Sequence, residues 1–143
     1  MDCELCVGDG GRLLWRDNFC RIVRVPSDDY PGYCRVVLNR HAREMTDLDA
    51  GERERLMQAV FACEMALREL FEPEKVNLAS LGNLVPHLHW HVIARYADDR
   101  NFPDPIWAAA RRHGGTNETA QRAAVPDARL AEALGALLAR PRN

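Results

Sequence analysis

Three histidines alternate with apolar residues in the segment 85–93, which reads Val-Pro-His-Leu-His-Trp-His-Val-Ile. Successive side chains of a β-strand point to opposite faces of the sheet. On a strand, His87, His89 and His91 would share one face, about 7 Å from one to the next at a rise of ~3.3 Å per residue. On a helix, residues two positions apart diverge by roughly 200°, so the imidazoles would not share a face. The alternation therefore predicts a strand whose opposite face is apolar and packs into a core: Leu88, Trp90 and Val92.

A row of histidines on a strand has three interpretations. A solvent-facing strand would more often use Lys, Thr and Glu, and strand propensity gives no reason for a histidine row. Histidines at i and i+2 are good ligands for one metal ion, as in three-histidine zinc sites. Alternatively, one histidine is a nucleophile whose neighbours orient it and handle protons. The residues alone leave the metal site and the nucleophile open.

Composition narrows the class of protein. The chain of 143 residues suits one domain, and its 47% hydrophobic and 28% charged residues are ordinary for a globular protein. A net charge of −2 argues against a general nucleic-acid surface. No apolar run approaches a membrane span, and the first residues do not read as a signal peptide. Five cysteines with one Cys-x-x-Cys pair fit a reducing cytoplasm better than a disulfide scaffold, so we expect a cytoplasmic protein.

Alternation and turn residues predict five strands, at 12–16, 19–25, 33–38, 76–81 and 86–95. A capping pattern, Thr46-x-x-Asp49, predicts the start of a long helix, and Pro73 ends that helix. One stripe along the helix is apolar. Residues 106–108 are expected to start a short helix, and four leucines give a short amphipathic C-terminal helix: Leu130, Leu134, Leu137 and Leu138. This order predicts an α+β fold, an antiparallel five-stranded sheet with one long helix packed on it.

The segment 87–93 resembles the His-φ-His-φ-His-φ-φ signature of the histidine triad (HIT) family, where φ is apolar. Gly82-Asn83 upstream and Asn39-Arg40-His41 after the third strand agree with that family. The resemblance covers residues 1–107. It implies a HIT-like fold with residues 1–112 as the HIT domain. Residues 113–143 would be a linker and an amphipathic helix of the same domain. It also implies a homodimer.

The resemblance further implies an enzyme that hydrolyses or transfers nucleotides. His89 would attack the α-phosphate and form a nucleotidyl-histidine intermediate, which water or another acceptor resolves. His87 and His91 would neutralise phosphate oxygens and protonate the leaving group, with the general acid unassigned between them. The alternative is a nucleotide-binding regulatory module with weak or no catalysis.

Three further residues are expected to bind the nucleotide. Asn83 and Asn77 would donate amide hydrogen bonds to phosphate or ribose, and Gly82 would let the backbone approach the phosphate. Two departures from the family pattern favour the weakly catalytic alternative. Leu84 stands where many members have a hydroxyl residue, and Tyr33 stands where many have a fourth histidine.

The N-terminal Cys-x-x-Cys pair is by itself compatible with a plain exposed turn. Some bacterial HIT proteins bind zinc through such a pair, a histidine after the third strand and the first triad histidine. The matching residues here are Cys3, Cys6, His41 and His87. Four protein ligands would close the coordination shell, so the resemblance implies a structural zinc and no organic cofactor.

Two smaller expectations concern the remaining aromatic and thiol residues. Trp107 is expected either to approach the nucleotide site or to cap the core. Three other cysteines fall on core-facing positions and are expected to be plain buried thiols: Cys20, Cys34 and Cys63.

Overall fold

The computed structural model describes residues 3–139. Five strands form one sheet: β1 (Arg12–Arg16), β2 (Cys20–Arg24), β3 (Tyr33–Leu38), β4 (Lys75–Ala79) and β5 (His89–Arg95). Their order is β1-β2-β3-β5-β4, and every neighbouring pair is antiparallel. The described helices are α1 (Glu4–Val7), a 3₁₀ turn (Met45–Asp47), α2 (Ala50–Phe71), α3 (Asn117–Ala123) and α4 (Asp127–Leu138). The predicted α+β class and five-stranded antiparallel sheet are confirmed.

The bounds of β1 and β3 are those predicted, and β2 and β4 differ from prediction by one or two residues at their ends. The triad strand β5 begins at His89, so the prediction that it begins at residue 86 was wrong. Pro86 has no N–H for a ladder bond, and the Leu88 N–H donates to the Ala42 carbonyl (2.7 Å) instead of to a neighbouring strand. His87 consequently lies in the loop that precedes β5.

Helix α2 begins one turn later than the sequence pattern suggested. Its cap is Asp49, whose carboxylate accepts from the Glu52 N–H (2.8 Å) while the Glu52 carboxylate accepts from the Asp49 N–H (3.0 Å). Thr46, the predicted cap, lies instead in the 3₁₀ turn, where Asp47 bonds the preceding backbone. The helix ends at Phe71, and its C-cap residue, Glu72, adopts a left-handed conformation (φ 46°) before Pro73.

The main core lies between one face of the sheet and helices α2 and α4. Leu88 and Val92 are buried there as predicted, whereas Trp90 is half-buried at its edge. Leu130 and Leu134 of α4 are completely enclosed by α2 and the sheet. The three thiols expected in the interior are buried: Cys20, Cys34 and Cys63.

Three local features of the structure differ from the predictions. Residues 4–7 form the single-turn helix α1, and residues 117–123 form α3, neither of which was predicted. Residues 106–108 form a turn instead of the start of a helix, because the Ala108 N–H donates back to Pro105 and no further turn follows. Helix α1 is held by Arg21, a buried residue of β2 that donates to the carbonyls of Leu5 and Gly8 (2.6 and 2.9 Å).

The opposite face of the sheet carries the histidines of β5. Arg35 of β3 pairs with His91 in the antiparallel register, and Val37 pairs with His89. A smaller apolar cluster covers one end of this face: Tyr30, Tyr33 and Ile93, with Val25 and Ile106 against them. No helix within residues 3–139 combines the length and the apolarity that a membrane crossing requires.

Candidate active site

His89 is the first residue of β5 and is 7% exposed. Its Nδ1 lies 2.6 Å from the carbonyl oxygen of His87. A carbonyl can only accept, so Nδ1 carries the proton and the lone pair of the ring is on Nε2. Burial lowers the pKa of His89 below its ordinary value, against the opposing effect of the hydrogen bond to His87. The result is a neutral imidazole with a nucleophilic nitrogen at neutral pH.

His91 has a different partner. Its Nδ1 lies 2.7 Å from the hydroxyl of Tyr33, and both side chains are buried. Burial raises the pKa of Tyr33, so the phenol keeps its proton. Within residues 3–139 that proton has no other acceptor, hence Tyr33 donates to Nδ1 and the imidazole proton is on Nε2. Burial, then the neighbouring His89 and Arg35, lower the pKa of His91 to about 4.

The rings beside His91 form a small aromatic cluster on this face. The His89 and His91 centroids are 4.9 Å apart at an interplanar angle of 80°. The Trp107 ring centroid is 5.0 Å from that of His91, and the Trp107 side chain is half exposed. Of the two expectations for Trp107, approach to the triad face is the one the structure shows.

His87 turns away from the other two triad rings. Its Nε2 lies 2.6 Å from the Leu38 carbonyl, which must accept, so Nε2 carries the proton and Nδ1 has the lone pair. That lone pair faces Cys3 Sγ (3.4 Å), Cys6 Sγ (3.5 Å) and His41 Nδ1 (3.2 Å). Burial lowers the pKa of His87, which keeps the ring neutral. His89 and His91 therefore share a face as predicted, whereas His87 belongs to a separate cluster.

That cluster has the donor set and the dimensions of a tetrahedral metal site. Its four ligand atoms, from Cys3, Cys6, His41 and His87, all lie within 4.8 Å of one another. With Zn–S near 2.3 Å and Zn–N near 2.05 Å, a tetrahedron has S···N edges of about 3.6 Å and an N···N edge of about 3.4 Å. Three of the four S···N separations, at 3.4 to 3.5 Å, and the N···N separation of 3.2 Å are close to those edges. These residues can hold a zinc-sized ion.

The loop between β4 and β5 borders His89. Gly82 has φ +76°, in the left-handed region that favours glycine. It lines a pocket of about 330 Å³ together with His87 and His89. Asn83 and Leu84 are exposed on the same loop, outside this lining, and Leu84 is 94% exposed.

Asn77 lies on β4 opposite Ile93, on the same face as the triad strand's histidines. Its Oδ1 accepts from Nη1 of Arg95 (2.7 Å). Arg95 is itself fixed by a buried ion pair with Asp99 (2.8 Å). This hydrogen bond orients the Asn77 amide, so that its Nδ2 can donate to a ligand.

The HIT domain family model matches residues 11–98. This chain belongs to the histidine triad family. HIT proteins are generally nucleotide-binding hydrolases and transferases. No curated protein matches the sequence significantly.

Several solved HIT structures resemble this one over nearly their whole length. A histidine triad protein from Marinobacter aquaeolei VT8 is 28% identical, with a TM-score of 0.73 and coverage of 94% of this chain and 95% of that one. One from Sinorhizobium meliloti 1021 is 26% identical, with a TM-score of 0.71 and coverage of 92% and 94%. One from Bradyrhizobium japonicum is 27% identical, with a TM-score of 0.69 and coverage of 94% and 93%.

One charged residue on the triad face of this HIT protein was missed by sequence reasoning. Arg35 pairs with His91 across β3 and β5, and its Nη1 donates to the Gly10 carbonyl (3.1 Å). Its Nε is buried without a hydrogen-bond partner, and within residues 3–139 it forms no ion pair. The alternation of β3 puts Arg35 on one face with Tyr33, but only the register with β5 identifies that face as the one with the histidines.

Proposed function

We propose that this HIT protein hydrolyses nucleotide substrates, or transfers their nucleotidyl group, through a covalent intermediate on His89. The supporting observation is the hydrogen bond from His89 Nδ1 to the His87 carbonyl, which leaves the Nε2 lone pair for attack. In the first step, Nε2 forms a bond to the α-phosphorus and the bond from phosphorus to the leaving group breaks. In the second, water attacks phosphorus, the P–N bond breaks and a nucleoside monophosphate leaves.

The two neighbouring groups would have distinct roles in this reaction. The adduct carries positive charge on the imidazole, which the His87 carbonyl stabilises by continuing to accept from Nδ1. His91 is neutral near pH 7, so its Nε2–H would serve as a hydrogen-bond donor to a phosphoryl oxygen. Gly82, Asn83 and Asn77 would supply further neutral contacts to the nucleotide.

The proposal is tested by incubating the protein with nucleoside phosphoramidates, dinucleoside polyphosphates and adenylyl sulfate, and measuring the released nucleoside monophosphate. His89→Ala should abolish turnover and the covalent adduct seen by mass spectrometry, while His91→Ala should impair turnover less completely. His113→Ala removes an exposed loop histidine that is not part of the triad, and it is the matched control. Near-normal turnover by His89→Ala would refute the mechanism.

A nucleotide-binding module with weak catalysis remains the second candidate. Leu84 is almost fully exposed at a position where a hydroxyl would contact phosphate, and Tyr33 replaces a proton-carrying imidazole. For a module with weak or no catalysis, a binding titration should show tight nucleoside monophosphate binding, and the substrate panel should show little or no turnover.

We also propose that Cys3, Cys6, His41 and His87 hold a structural zinc ion. The donor set of two thiols and two imidazoles, and edges that fit a tetrahedron, support it. Because four protein ligands fill the shell, the ion would tie the N-terminal turn to the sheet and take no part at phosphorus. Elemental analysis of protein purified without chelator should give one zinc per chain.

We further propose a homodimer. Phe61 and Met65 project from α2 with about half of their surfaces exposed (49% and 48%). They border a groove of about 590 Å³ that α2 forms with β1 and α4. A second copy would remove this apolar surface from water. Sedimentation at micromolar concentration should give twice 16.2 kDa, and a monomer alone would contradict the proposal.

A further inference from the structure

We propose that Arg35 binds the phosphate group of the nucleotide beside His89, an inference that rests on the nucleotide function proposed above. Arg35 and His91 are direct cross-strand partners, and such partners have Cβ atoms about 4.5–5.5 Å apart on one face. His89 pairs with Val37, the next position of β3 on that face, and is therefore a diagonal neighbour of Arg35. The guanidinium is close enough to both imidazoles that its charge contributes to lowering the pKa of His89 and of His91.

The charge of Arg35 lies beside neutral groups, the Gly10 carbonyl and the Tyr33 ring, whose centroid is 5.9 Å from the central guanidinium carbon. Its Nη1 bond to the Gly10 carbonyl fixes the guanidinium, yet the charge meets no carboxylate within residues 3–139. Its Nε is buried and unpaired. Buried N–H groups are nearly always paired in folded proteins, and an acceptor bound on this face would pair this one.

The other cation of β2 and β3 on this face is already committed. Arg21 pairs with Val37 in the register, but its guanidinium donates to Asn39 and to the carbonyls of Leu5 and Gly8. The two imidazoles are neutral donors or nucleophiles. Of the cations that β2 and β3 place on this face, Arg35 is therefore the one left for a phosphate, whose oxygens a planar guanidinium can bind in pairs.

A purely structural role for Arg35 makes a different prediction. If its function were to hold the Gly10 turn through the 3.1 Å bond, its loss would lower stability and affect all ligands alike. A phosphate-binding role instead changes the affinity for a nucleotide and leaves the affinity for the corresponding nucleoside unchanged. The ratio of the two affinities separates these roles.

The experiment is a calorimetric titration of AMP against adenosine, and of GMP against guanosine, with the wild type, Arg35→Gln, Arg35→Lys and Arg129→Gln. Arg129 is exposed on α4 and serves as the matched control. Arg35→Gln should weaken monophosphate binding about tenfold or more, the usual effect of losing a hydrogen bond to a charged group, and nucleoside binding less than twofold. The monophosphate affinity of Arg35→Lys should lie between those of Arg35→Gln and the wild type, and that of Arg129→Gln should equal the wild-type value.

The possible results separate the role of Arg35 from the nucleotide function of the protein. If the wild type prefers the monophosphate and Arg35→Gln keeps the same preference, the role of Arg35 is wrong and the nucleotide function stands. If the wild type binds neither monophosphate, the role of Arg35 and the nucleotide function are both refuted. If Arg35→Gln does not fold, Arg35→Lys decides: a weakened preference supports the inference, and an unchanged one overturns it.

Discussion

Replacing Tyr33 by phenylalanine removes one hydroxyl and leaves the ring contacts with Tyr30 and Ile93. The deleted hydrogen bond to His91 Nδ1 is 2.7 Å long, and both residues are 6% exposed. Water cannot readily replace the lost donor at that burial. His91 Nδ1 is therefore left unpaired, and its imidazole is free to place its proton on either nitrogen.

The structure sets the expected size of two effects. Leaving one buried acceptor unpaired costs about 2 kcal/mol of the free energy of unfolding, which lowers Tm by about 4–8 °C in a domain of this size. If about 1.4 kcal/mol of the same hydrogen bond also stabilises the transition state through the orientation of His91, kcat falls about tenfold.

Tyr96→Phe is a matched control for this variant. Tyr96 is also 6% exposed, and its hydroxyl donates to the Phe71 carbonyl (2.6 Å) on the core side of the sheet. Thermal melts and turnover of the best substrate should show a similar loss of Tm in both variants and a loss of kcat in Tyr33→Phe alone. If Tyr33→Phe turned over within twofold of Tyr96→Phe, the hydrogen bond would not orient a catalytic group.

Three other predictions can be checked with the same protein. Chelation should lower Tm, and Cys3→Ser or Cys6→Ser should do the same and remove the metal, because the ion joins the N-terminal turn to the sheet; unchanged Tm would contradict this. The folded-state pKa of His91, about 4, lies below its unfolded value near 6.5, so the folded protein binds fewer protons between these values. Stability is then lost as pH falls from 6.5 towards 4, by on the order of 1–2 kcal/mol after solvent screening. Denaturant titrations should show a smaller loss in His91→Gln, and equal losses would refute the assignment. Finally, AMP should quench tryptophan fluorescence in the wild type and much less in Trp107→Ala, because Trp107 is half exposed beside His91; equal quenching would exclude Trp107 from the nucleotide site.

Local patterns predicted the elements that depend on local physics. Flanking turn residues predicted the bounds of β1, a valine-rich run predicted those of β3, and one apolar stripe identified α2. The Thr46 cap was wrong because Asp49 and Glu52 offer a second, reciprocal pair one turn later. Helix α1 escaped prediction because a helix of four residues is unstable alone and depends on the carbonyl contacts of Arg21.

The candidate site required information that no local pattern contains. The proton positions of His89 and His91 follow from the His87 carbonyl and the Tyr33 hydroxyl, which are contacts of the folded chain. Arg35 looked like one more polar residue of a strand until the pairing of β3 with β5 put it beside His91. The cluster of two thiols and two imidazoles, by contrast, could be predicted from the sequence. The family resemblance named all four residues, and the structure brings them together.

His87 complicates the use of alanine scanning in this protein. Its side chain reaches the thiol cluster and the Leu38 carbonyl, whereas its own backbone carbonyl orients His89. Alanine at position 87 would keep that carbonyl but release the anchor that holds it in place. A lower rate in such a variant would therefore report that the nucleophile is less well positioned. It would not show that the His87 ring touches the substrate. In this chain His87 orients His89 through its backbone carbonyl and not through its ring. Alanine substitutions of the three histidines therefore compare the loss of an anchor at position 87 with the loss of a reacting or hydrogen-bonding ring at the other two positions.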